Sequence, residues 1–133
     1  MTAPAGPGII VREAHFPGRA PIDAYGNGGF RFAGMSHRGS ILCLPSGVHG
    51  WEPRDPLSLE FGDLEKLLAD SGDIEILLFG MGTDLRPLPK ALREALRARR
   101  ISADPMSTGA AVRTFNVLLA EDRAVAAALI AVD

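Results

Sequence analysis

Two glycine-bearing stretches of this chain carry residue types that can hold a small anion. Gly80-Met81-Gly82 follows Ile74-Glu75-Ile76-Leu77-Leu78-Phe79, an apolar run of the kind a buried strand shows. Backbone amides that side chains leave bare can point at a phosphate or carboxylate. Ligands of α/β sheets gather at the carboxyl ends of such strands. Ser107-Thr108-Gly109-Ala110-Ala111 is a small-residue helix entry, where the first amides lack intrahelical partners. Arg113 and Asn116 share one face of that helix, and an arginine there can grip a carboxylate with two parallel N–H groups. Gly80, Met81, Gly82, Thr108, Gly109, Arg113 and Asn116 are the candidate ligand-binding residues, expected around a small polar pocket. The competing reading is structural: a tight turn, Arg113 paired with an internal acid, and Asn116 satisfying a loop backbone.

Other chemistry finds less support. The dinucleotide fingerprint fails because Leu85 stands where its last glycine belongs, and no Gly-Lys-Ser/Thr follows for a phosphate loop. His15, His37 and His49 show no metal-ligand spacing and Cys43 is the single cysteine, so neither metal nor cofactor is expected. Leu44-Pro45-Ser46-Gly47-Val48 is not Gly-x-Ser-x-Gly, so Ser46 with His49 gives no hydrolase signature. Cys43 lies within an apolar strand, the setting of an inert core thiol. Lys90, Arg93, Arg97 and Arg100, with Arg99 beside them, face only Glu94. This run is a solvated helix face or a docking face for an acidic protein partner. It lacks the interleaved aromatics or motif that would suggest nucleic acid.

The rest of the chain must position these groups. Its 133 residues suit one domain. At 47% hydrophobic and 23% charged the composition is that of a globular protein. A net charge of −2 gives no field favouring nucleic acid or an anionic membrane. The N-terminus has no signal-peptide pattern, and the longest apolar run, residues 124–132, is far short of the roughly 20 residues a membrane helix takes. A cytoplasmic protein is expected, with residues 1–8 a flexible leader and residues 9–133 a single domain. Ten of the 15 glycines and seven of the ten prolines precede Leu57, which predicts short strands and frequent turns in that half.

Ile9-Ile10-Val11 predicts a short strand, and residues 21–25 an extended segment. Gly26-Asn27-Gly28-Gly29 is a turn. Residues 30–44 predict one hairpin, with residues 34–39 as its turn, and residues 48–51 another short strand. Phe61, Leu64, Leu67 and Leu68 then mark one face of a helix ending near Gly72. A strand follows over residues 74–79. Pro87 and Pro89 open a helix whose buried stripe is Leu88, Leu92 and Leu96. Residues 101–103 predict a strand, Ser107 or Thr108 a helix cap, and residues 124–132 the last buried strand. This order predicts an α/β fold: a single three-layer domain with a central mixed sheet, helices packed on it and an N-terminal hairpin region.

Three stretches carry a resemblance. They are Phe30-Arg31-Phe32-Ala33-Gly34 running on to Leu44-Pro45-Ser46-Gly47 and Trp51; Glu75-Ile76-Leu77-Leu78-Phe79-Gly80-Met81-Gly82 with Leu88-Pro89; and Met106-Ser107-Thr108-Gly109-Ala110-Ala111-Val112-Arg113-Thr114-Phe115-Asn116. Together they resemble the domain-of-unknown-function 498 family of Mth938-type domains, which includes mitochondrial complex I assembly factors. The family's loop is expected to read Gly-Thr-Gly where this chain has Gly80-Met81-Gly82. The resemblance implies a three-layer α/β fold and no settled enzymatic activity. It also implies a non-catalytic assembly or interaction factor whose partners are proteins such as respiratory-complex assembly components. The alternative is an anion- or metabolite-binding domain, or an enzyme, using the pocket between the Gly80–Gly82 loop and the helix start at Thr108.

Overall fold

A computed structural model describes residues 16–133; the strand expected at Ile9-Ile10-Val11 and the leader lie outside them. The elements run β1 (Ile22–Gly26), β2 (Gly29–Phe32), β3 (Met35–Arg38), β4 (Ser40–Leu44), β5 (Gly47–Trp51), α1 (Glu65–Ala69), β6 (Ile76–Gly80), α2 (Lys90–Ala98), β7 (Ser102–Met106), α3 (Thr108–Ala120) and β8 (Val125–Leu129). A five-stranded mixed sheet has the order β5-β4-β8-β6-β7, and β1-β2-β3 form a separate three-stranded sheet.

The central strands are apolar throughout because both their faces are covered. Leu42 and Leu44 of β4, Leu77 and Phe79 of β6, and Ala126 and Ala128 of β8 enter one core with Leu64, Leu67, Leu92 and Leu96. Their alternate neighbours Ile41, Cys43, Leu78, Val125, Ala127 and Leu129 enter a second core, with Phe30 and Phe32 of the small sheet and Ala111, Val112 and Phe115 of α3. The layers are thus α1 and α2, then the five-stranded sheet, then α3 beside the small sheet. Each fully buried Leu or Phe contributes about 1.5–3 kcal/mol of transfer free energy.

Strand β6 pairs in parallel with both β7 and β8, as strands joined through helices do. The step from β6 to β7 through α2 runs toward the sheet edge. The step from β7 to β8 through α3 returns across β6. Two crossovers of one hand that step in opposite directions need opposite faces, and α2 and α3 do join different cores.

Three expectations change. Residues 30–44 are not one hairpin: β2 pairs with β1 and β3, whereas β4 pairs with β5 and β8. Residues 34–39 are not simply a turn, since Met35–Arg38 is β3; Gly39, at φ +99°, swings the chain from the small sheet into the large one. The helix expected from Phe61 to near Gly72 is a 3-10 turn, Phe61–Leu64, running into five residues of α1. Phe61 leaves the expected apolar face and is 52% exposed, while a reciprocal cap between Glu60 and Asp63 fixes the start.

Burial pushes the Cys43 thiol up from 9.0 to about 12. The folded thiol therefore holds its proton where the unfolded one ionises, so the fold loses stability as pH rises through that interval and is unaffected below it. Iodoacetamide at pH 8 is expected to leave Cys43 unmodified in the native protein and to alkylate it in urea, as read by mass spectrometry.

Candidate functional site

The Gly80–Gly82 loop and the α3 start do meet, with no gap between them. Ser107 caps α3 by accepting a hydrogen bond from the Ala110 amide at 3.3 Å. That leaves Thr108 to turn inward, where it is fully buried. Its Oγ1 donates to the Ile130 carbonyl at 2.7 Å and accepts from the Gly82 amide at 3.0 Å. The Thr108 amide donates to the Gly82 carbonyl at 2.8 Å, and the Met81 amide to the Met106 carbonyl at 2.8 Å. The loop amides offered to an anion are thus donors within the fold. A Cβ on Gly80 would stand 3.0 Å from both Thr108 Oγ1 and Leu129 Cδ2. Glycine is there for close approach of strand and helix.

Arg113 and Asn116 do not complete a pocket with this loop. The Asn116 side chain faces β1, where Oδ1 accepts from the Ile22 amide and Nδ2 donates to the Ile22 carbonyl, each at 2.8 Å. It works as one more strand partner, joining α3 to the small sheet. Arg113 is exposed, near Gly109, over which the Tyr25 hydroxyl packs.

A cavity of about 430 Å³ does open at the carboxyl ends of β6 and β8, on the other side of the loop. Met81, Gly82 and Thr83 line it with Arg54, Arg86 and Val132. Sequence reasoning missed both arginines, which come from separate loops with no motif linking them. It also missed Ser40, fully buried, whose Oγ donates to the Pro53 carbonyl at 2.6 Å and accepts from the Ala131 amide at 3.0 Å. That hydroxyl fixes the chain on which Arg54 stands. Asp55 and Asp133 also line the cavity. The Asp55 carboxylate is occupied by the Leu57 amide at 2.9 Å and the Ser58 hydroxyl at 3.1 Å.

The cationic helix forms a second feature. Arg93, Arg97 and Arg100 project from one side of α2 and its C-terminal turn over Ile101, Ser102 and Ala103, around a shallow groove of about 360 Å³. Lys90 stands apart, its Nζ 4.0 Å from Glu94 Oε2. Among the described residues, no carboxylate lies within 4.0 Å of the three arginines. Leu88, Leu92 and Leu96 hold the opposite side of the helix in the core, so the guanidinium groups are fixed outward.

The remaining candidates stay modest. Ser46 Oγ, on the exposed turn before β5, lies 2.9 Å from Nε2 of His49 on β5, and the Asp70 carboxylate accepts from the Ser46 amide at 2.9 Å. Among the described residues, no group of three His, Cys, Asp or Glu is gathered to hold a metal ion; His15 lies outside them. No helix among the described residues is long and apolar enough to cross a membrane.

Comparison with known proteins places this arrangement. The chain is 64% identical, at a TM-score of 0.86, to the crystal structure of an outer membrane protein from Bartonella henselae, covering 90% of this chain and 100% of that one. It is 25% identical, at a TM-score of 0.71, to a Mth938-like domain of Bordetella pertussis solved in solution, covering 84% and 85%. It is 30% identical to the NADH dehydrogenase [ubiquinone] 1 alpha subcomplex assembly factor 3 of Mus musculus over 92% of its own length, and spans 66% of that protein. The family model described as protein of unknown function (DUF498/DUF598) matches residues 22–130, and the chain belongs to that family.

Proposed function

We propose that the chain is a non-catalytic interaction factor that assists assembly of a larger complex, gripping an acidic protein partner with the arginine side of α2. The observation that carries this reading is the groove of Arg93, Arg97 and Arg100, whose positive charges meet no carboxylate within 4.0 Å among the described residues. Surface cations without internal partners are free to serve an external one. The mouse relative named for NADH dehydrogenase assembly supports the assembly class and makes respiratory-complex assembly components the first partners to test. This reading puts the chain in the cytoplasm, and cell fractionation checks it. Recovery with the outer-membrane fraction would move the partner to the cell envelope. Affinity purification at native expression is expected to recover a defined set of proteins. Recovery of the chain alone, across several mild lysis conditions, would count against the reading.

A second reading rests on the cavity beside Met81 and Gly82. Its two arginines and its place at the carboxyl ends of β6 and β8 suit a small anion such as phosphate or a dicarboxylate. Such anions at millimolar concentration are expected to raise Tm, and Arg86→Ala to remove the rise. A screen of small anions that leaves Tm unmoved would sink this reading.

A further inference from the structure

The end of α2 is built on a backbone position that favours glycine. The Ile101 amide donates to the Leu96 carbonyl at 3.0 Å and the Arg100 amide to the Arg97 carbonyl at 2.9 Å. This is the Schellman pattern of helix termination, with buried Ile101 and Leu96 supplying its usual apolar contact. The residue at its left-handed position is Arg100, at φ +62°. Helix α3 ends the same way, with the Arg123 amide on the Leu118 carbonyl at 3.0 Å. There the left-handed residue is Asp122, at φ +60°, a type that tolerates this conformation. Arginine does not share that tolerance, and glycine would serve the cap better.

Arg100 thus takes on a backbone cost that glycine would not. Arg100 lines the same groove as Arg93 and Arg97. From Arg93 to Arg100 the helix rises roughly 10 Å, the length of about three residues of extended chain. The groove floor is the start of β7, a sheet edge. The Ser102 amide and the Met106 carbonyl point at β6, so alternation leaves the Ala103 amide and carbonyl facing outward. Pro105 occupies the next outward position and has no N–H to offer. One backbone donor flanked by three guanidinium groups suits a short extended peptide bearing carboxylates. It does not suit a long added strand. None of the exposed large apolar side chains, Tyr25, Leu57, Phe61, Leu85 and Val117, lines the groove, so it has no aromatic ring on which bases would stack.

We infer that Arg100 is held in a glycine conformation for its guanidinium, completing with Arg93 and Arg97 a clamp for an extended, carboxylate-rich segment of a partner protein. The inference rests on the interaction reading above and names the partner's chemistry.

The test uses the full chain and a fluorescein-labelled peptide of alternating glutamate and serine, followed by anisotropy at low salt. Arg100→Gly is expected to raise Tm by about 3 °C while weakening peptide binding about fivefold. Arg99→Ala removes the same charge outside the groove and is expected to change binding less than about twofold. Equal losses in the two variants would reduce the clamp to bulk charge and overturn it. So would a fall in Tm for Arg100→Gly, or equally tight binding of a uridine oligonucleotide. If these tests fail while affinity purification still recovers partners, the interaction reading survives and the clamp does not. If the peptide results hold and purification recovers nothing, the clamp stands and its assembly role falls.

Discussion

Thr108→Val lowers the unfolding free energy by about 3 kcal/mol, because it strands two buried backbone groups at once. The Gly82 amide loses its acceptor and the Ile130 carbonyl loses its donor. Valine fills nearly the same volume, so the loss reports hydrogen bonding rather than packing. Thr108→Ser keeps the hydroxyl and costs only about 1 kcal/mol for the missing methyl group. Urea denaturation of both variants gives the comparison. Equal costs for valine and serine would mean that the hydroxyl holds nothing, and that the loop amides are available after all.

Arg93→Glu combined with Arg97→Glu weakens partner binding at least about 30-fold and leaves the fold in place. Each reversal removes a charge-assisted hydrogen bond, worth about 1.5–3 kcal/mol, and adds repulsion toward an acidic partner. Stability changes little because both residues are exposed and no carboxylate lies within 4.0 Å of either among the described residues. Placing an acid in the last helical turn costs only about 0.5 kcal/mol against the helix dipole. A titration of the recovered partner against both forms, with a melting curve for each, separates the two effects. Unchanged affinity would remove the arginine groove from the interface.

What could be read from the sequence follows from what each residue's role depends on. Strands β6 and β8 were legible because burial on both faces leaves no polar alternation to disguise them. Helix α2 was legible because Leu88, Leu92 and Leu96 repeat at helical spacing and end up in one core. Ser107 advertised its cap by residue type. Strand β3 was not legible: Ser36, His37 and Arg38 lie on the edge of a small sheet, where nothing demands an apolar pattern. The inward turn of Thr108 depends on where β8 brings the Ile130 carbonyl, which no local pattern encodes. Arg54 and Arg86 line one cavity only because the loops after β5 and β6 converge on the ends of β6 and β8. The glycines of the Gly80–Gly82 loop read in the sequence as bare amides for an anion, whereas Gly80 serves the close approach of Thr108, a partner that no local pattern names. Arg100 is in the sequence as one more cation; its left-handed backbone exists only in the fold.

The most direct measurement of the central claim is site-specific photo-cross-linking in cells. A photoreactive residue replaces Ser102, exposed beside the three arginines on the β7 edge, and a second variant carries it at Thr83 on the cavity rim. Peptide mapping by mass spectrometry then locates what each position touches. The account predicts a cross-link at Ser102 to an acid-rich segment of another protein, lost when Arg93 and Arg97 are reversed to glutamate. Cross-links confined to Thr83, or Ser102 adducts that survive the reversal, would contradict it.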